Sequence, residues 1–165
     1  MKNLDSTDTR FGALPALLAG FAGHPRTIGE AAKAAVEEAG GGPLQPPGGG
    51  GENPQAQARA LLALLVECYV RQIYSSKNVA ARAARDPDFP WLWWEEFPDA
   101  ETLCRFRDDN QQALHACLAQ VLRFVAEQKI VAGELTRVNA VQIAEEAGRR
   151  MVMAAFTDCT ETDRL

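Results

Sequence analysis

The sequence predicts an all-α protein, and three observations predict it. Alanine and leucine dominate, while the β-branched runs that mark strands are almost absent. Apolar residues recur at helical spacing, as in Leu61, Leu64, Leu65, Cys68, Tyr69 and Ile73. The breaks between such segments fall at Pro25, Gly40, Pro87, Pro90 and Gly133. The expected architecture is a compact multi-helix domain, plus a small N-terminal helical pair on a Gly/Pro-rich linker.

Residues 1–39 form the pair. Gly12–Phe21 places Leu14, Leu17, Leu18 and Phe21 at i, i+3, i+4 and i+7, and His24-Pro25 ends it. Thr27, with Glu30 three residues on, has capping-box spacing and opens a second helix to about Ala39, which Gly40 stops. Two short helices bury little alone, so they are expected to dock on the body or on another subunit. Residues 40–54, GGGPLQPPGGGGENP, hold seven glycines and four prolines and read as a flexible linker or long loop.

The body is placed at 55–157. Pro54 suits a first helical turn, and the helix it opens is predicted to reach Tyr74. Ser75 and Ser76 interrupt it, one of them capping the next helix, Lys77–Arg85. Pro87 and Pro90 bracket a turn before Phe89-Pro-Trp-Leu-Trp-Trp, and Asp99 caps a short helix, Ala100–Asp108. Asn110–Val131 is a long amphipathic helix with Leu114, Cys117, Leu118, Val121, Leu122 and Val125 on one face. After Gly133 a last helix covers Val138–Phe156, carrying Glu145/Arg149 and Glu146/Arg150 at i, i+4. Residues 158–165 read as a polar tail.

The 165 residues, 47% hydrophobic and 24% charged, suit one ordinary globular domain. The richest apolar stretch, Ala60–Val66, falls far short of the roughly 20 residues needed to cross a bilayer. The acidic N-terminus is unlike a signal peptide, so a cytoplasmic protein with no membrane partner is expected. Cys68, Cys104, Cys117 and Cys159 include no C-x-x-C pair and read as reduced thiols, three of them on apolar helix faces. His24 and His115 are too isolated for zinc. No catalytic set, metal site, cofactor motif or small-molecule substrate site is legible, and Asp108/Asp109 and Glu145/Glu146 read as solvated helix faces. The net charge of −5 requires any basic surface to be local.

The middle of the body has a distinctive series. Tyr69-Val-Arg-Gln-Ile-Tyr-Ser-Ser-Lys77 is followed by Asp86-Pro-Asp-Phe-Pro-Trp-Leu92, then by Pro98-Asp-Ala-Glu-Thr-Leu-Cys-Arg-Phe-Arg107. From Pro54 to Val131 this resembles the helical N-terminal domain of DDE-type insertion-sequence transposases. That domain shows a leucine-rich helix ending near Tyr-x-Arg, a Ser-Ser-Arg/Lys turn, D-x-x-F-x-W-L, and P-D-x-x-T-L/I-x-R-F-R. Pro98, Asp99, Thr102, Leu103, Arg105, Phe106 and Arg107 all fit the last element.

The resemblance implies a helix-turn-helix-like centre made by Lys77–Arg85 and Ala100–Asp108. It implies contact with double-stranded DNA through Ser76, Lys77, Arg82, Arg85, Thr102, Arg105 and Arg107. The free amides at a helix N-terminus beside such side chains suit phosphates. In that family an RNase H-like catalytic domain follows, its first aspartate on a strand shortly after the long helix. Here Asn139 stands at that place, Val138–Phe156 reads as helix, and too few residues remain for such a sheet. Asparagine is a poor substitute for a carboxylate on Mg²⁺, so a non-catalytic, transposase-derived protein is expected.

Two main functional readings stand open. One is a DNA-binding protein or regulator of DNA elements, acting as a homodimer because one monomer offers one small reading head. The other is a protein-interaction or oligomeric assembly module that kept the fold and lost DNA binding. A remnant without function is a third. Between Arg59 and Asp109 seven Lys/Arg face nine Asp/Glu, so Arg105 and Arg107 suit pairing with Asp99, Glu101, Asp108 and Asp109 as well as DNA. Lys77, Arg82 and Arg85 form the most basic local run, with no acid until Asp86. Trp91, Trp93, Trp94 and Phe97 read as core with some interface, because successive tryptophans on a short turn cannot all point inward. Glu95 and Glu96 beside them argue against single-stranded nucleic acid.

Overall fold

Six helices and no strand make up the described residues, 27–39, 42–48, 51–86 and 97–163, of the computed structural model. They are α1 (Ile28–Ala39), α2 (Pro54–Val70), α3 (Ser76–Arg85), α4 (Ala100–Asp109), α5 (Gln111–Val131) and α6 (Ala140–Thr162). The helix expected at Gly12–Phe21 and the tryptophans at 91, 93 and 94 lie outside the described residues.

Local chemistry sets most of the helix starts. Thr27 and Glu30 form the reciprocal capping box, each backbone N–H donating to the other's side chain at 3.3 and 3.1 Å. Asn53 caps α2 ahead of Pro54, Ser75 caps α3, and Asp99 accepts from the Thr102 amide at 2.8 Å to cap α4. That bond holds the Asp99 carboxyl below its ordinary range. Asn139, expected where a catalytic aspartate would stand, caps α6 by accepting from the Val141 and Gln142 amides.

The core is built on α2 and α5. Leu61, Leu62, Leu65, Cys68 and Tyr69 of α2 meet Leu114, Cys117, Leu118 and Val121 of α5, all buried. Helix α1 packs across both through Ala31, Ala32, Ala35 and Val36. Helix α1 thus packs on the core of its own chain. Small alanines let α1 approach closely, and Gln120 of α5 donates to Glu38 at 2.6 Å.

The loop before α2 is pinned at its centre. The Gln55 amide group brackets the Leu44 backbone, donating to its carbonyl and accepting from its N–H at 2.9 and 3.2 Å. Asn110 does the same for Gln45, at 3.0 and 2.8 Å. Leu44 is buried in the core between these two brackets. At Gly51, a Cβ would collide with the Gln57 side chain.

Helix α2 stops at Val70, short of the expected Tyr74. Gln72 adopts φ 63°, and Ile73 and Gln72 donate back to the Cys68 and Tyr69 carbonyls, a Schellman closure. Arg150 of α6 then donates to the Tyr69 and Val70 carbonyls at 2.8 Å each. Its charge sits at the negative end of the α2 dipole. The final helix runs on to Thr162, so residues 158–162, read from sequence as the start of a polar tail, are helical. Polar residues there face α3 and α4, which is why composition alone suggested a tail.

Candidate nucleic-acid interface

Helices α3 and α4 pack against each other, and 3.6-residue periodicity divides each into two faces. On α3, Ser76, Val79 and Ala83 are buried. The opposite face presents Lys77, Asn78, Ala81, Ala84 and Arg85, all exposed. Arg82 stands at the edge, 3.4 Å from Glu67, which also receives Arg71 at 3.2 Å. Lys33, Arg59, Arg71, Arg82 and Arg85 line a groove between α1, α2 and α3 together with Glu30, Glu37, Glu67 and Asp86. Its charge is therefore mixed.

On α4 the inward residues are Leu103, Phe106 and Arg107. Arg105 is exposed but lies 3.7 Å from Glu101 and shares its face with the exposed Asp108 and Asp109. Thr102 is half-buried behind the Asp99 cap. The outer face of α4 is accordingly acidic, and that of α3 basic. Phe97 is half-buried against the core.

Ser76 and Arg107, grouped from sequence with the DNA contacts, turn inward to one carboxylate. Arg107 donates to Asp158 Oδ2 at 2.6 Å and to Asp108 Oδ1 at 3.2 Å. Ser76 donates its hydroxyl to Asp158 Oδ2 at 2.7 Å and its backbone N–H to Oδ1 at 2.8 Å. Cys104 Sγ lies 3.2 Å from the same Oδ2, and the Ser75 hydroxyl donates to Glu161 at 2.8 Å. Burial would raise the Asp158 pKa, but the Ser76 amide and hydroxyl, Arg107 and Cys104 outweigh it and hold the carboxyl below its ordinary range. Burial pushes the Cys104 thiol up. Asp158 was not legible from sequence, since its partners lie 82 and 51 residues away.

This knot fixes the two short helices to the last long one, and Lys77 and Arg85 stay exposed on the opposite side of α3. Among the described residues, no group of three or more His, Cys, Asp or Glu is arranged to hold a metal ion, and no helix is long and apolar enough to cross a membrane.

The arrangement defines a class: a helical chain whose two short helices are braced between longer ones. Residues 42–109 match the family model described as Transposase domain (DUF772), so this segment is transposase-related. The match starts at the pinned loop and stops with α4, whereas the motif resemblance spans Pro54 to Val131. No curated protein and no solved structure matches the chain.

Proposed function

We propose that this is a non-catalytic, transposase-derived protein that binds double-stranded DNA through the outer face of α3. The observation that carries the reading is the composition of that face. Lys77 and Arg85 stand about 12 Å apart along the helix at 1.5 Å per residue, a distance similar to the roughly 12 Å width of the major groove. Between them lie only Ala81 and Ala84, small enough for the backbone to approach a groove, with Asn78 alongside. The buried attachment of Ser76 to Asp158 gives the head a rigid mount. Asn139 serves as a helix cap, which supports the non-catalytic part of the reading.

Two or three cations meeting phosphates give a weak, salt-sensitive complex, with a slope of log K against log salt of about −2 to −3. Electrophoretic shift of random duplex DNA at low salt tests the reading. Retardation at protein concentrations on the order of ten micromolar supports it, and none at several tens of micromolar overturns it. The acidic outer face of α4 favours a second reading, an assembly module, for which DNA would produce no shift at any salt.

A further inference from the structure

Helix α6 carries a second surface that the DNA reading does not use. Val141, Val152 and Phe156 are 66%, 67% and 63% exposed. Ala144 and Cys159 are exposed beside them, and Gly148 and Ala155 are half-buried. These residues follow one another at helical steps and make a single stripe, about 27 Å long at 1.5 Å per residue. Beside its middle, a groove of about 480 Å³ opens between α6 and the start of α5, lined by Gln111, His115, Gly148 and Val152 among others. The exposed Glu145 lies on the same face, opposite Ala155 in the pairing below, and the apolar residues on either side of it still line up as an interaction surface, where scattered ones would not.

The stripe is complementary to itself when two copies run in opposite directions. With the crossing at the level of Arg150, Phe156 of each copy lies over Ala144 of the other, Val152 over Gly148, and Val141 over Cys159. Each bulky side chain meets a small one. Parallel pairing would instead stack Phe156 on Phe156 and Val152 on Val152. The antiparallel arrangement also brings Arg137, exposed just before α6, to Asp163, exposed at its C-terminal cap. The positive end of each helix dipole then meets an acidic helix end.

We infer that α6 is a homodimer interface, with a second copy of this chain packed antiparallel on the stripe, about a two-fold axis that crosses it at the level of Arg150. One helix pair buries less than the roughly 800 Å² per partner of a standard stable interface, so the dimer is weak and concentration-dependent. It forms without DNA and does not rest on the α3 reading. Where both hold, two α3 heads share one particle.

Sedimentation velocity over a concentration series, without DNA, provides the test. The wild-type chain is expected to self-associate, and V152R to weaken association by at least about tenfold. Val152 faces solvent, so helicity by circular dichroism should not change. A second variant, V141C, is expected to form a covalent dimer on mild oxidation, with position 141 of one copy linked to Cys159 of the other. A wild-type chain that stays monomeric at about 100 µM, self-association unaltered by V152R, or linkage only between two Cys159 residues would each overturn the inference.

Discussion

Arg107 and Asp158 meet at 2.6 Å across 51 residues of sequence, and both side chains are nearly withdrawn from water. Their contact ties α4 to α6, and Ser76 adds α3 to the same carboxylate. Removing one partner of such a pair strands a buried charge. We expect D158A to lower unfolding free energy by about 3–5 kcal/mol in chemical denaturation. D158N should cost less, because its carbonyl still accepts from Ser76. A loss of a few tenths of a kcal/mol, as at a surface pair, would contradict the role assigned to this contact.

Stability should also fall at acid pH for a definite reason. Asp158 titrates below its ordinary 3.8. Glu146 is held at about 2 instead of 4.5, chiefly by the hydrogen bond from Arg149, then against partial burial by Arg150. In both cases the unfolded chain binds protons more readily than the folded one. Their contribution is therefore complete above pH about 4.5 and is lost as pH falls toward 2. Thermal melts should be nearly flat from neutrality down to about pH 5 and drop below that. E146Q should make the acid limb shallower.

The end of α2 makes two opposite predictions. Gln72 holds φ 63°, a conformation that costs an L-residue roughly 1–2 kcal/mol. Q72G should raise stability by about 1 kcal/mol, because glycine takes that conformation without a steric penalty. R150A should lower it by about 1.5–3 kcal/mol, since two carbonyls at the helix end lose a charged donor. Paired urea titrations of the two variants read both effects.

The loop before α2 should be protected from exchange at one spot. The Leu44 and Gln45 amides donate to Gln55 and Asn110. They should exchange with solvent more slowly than the neighbouring Gly48 amide in hydrogen-exchange mass spectrometry or NMR. N110A should speed exchange at Gln45 and cost about 1–3 kcal/mol, because Asn110 is itself buried.

Where structure depends on neighbours in sequence, the sequence was legible. Thr27 with Glu30, Pro54, Ser75 and Asp99 lie within one turn of the helices they open, and the stripe on α5 is a property of one helix. The end of α2 was not legible, because glutamine, where a glycine would have signalled it, takes the left-handed position of the closing turn. The pinned Leu44 is hidden by the composition around it, since glycines and prolines argue for a loop but not for where it attaches. Lys77, Arg85 and Arg105 could be placed on exposed faces by periodicity. Ser76 and Arg107 could not be placed in the interior, because Asp158 and Glu161 sit in a stretch whose polarity resembles a tail until α6 folds it back onto α3.

The most direct test of the DNA reading is fluorescence anisotropy of a labelled duplex titrated with the wild-type chain and with K77E/R85E. The protein should be at low salt, and both exposed substitutions should leave the circular dichroism unchanged. Saturable wild-type binding is expected, weakening with a log–log salt slope of about −2 to −3, with at least a tenfold loss in the double variant. Equal binding by the two proteins, or none by either, would contradict the DNA reading.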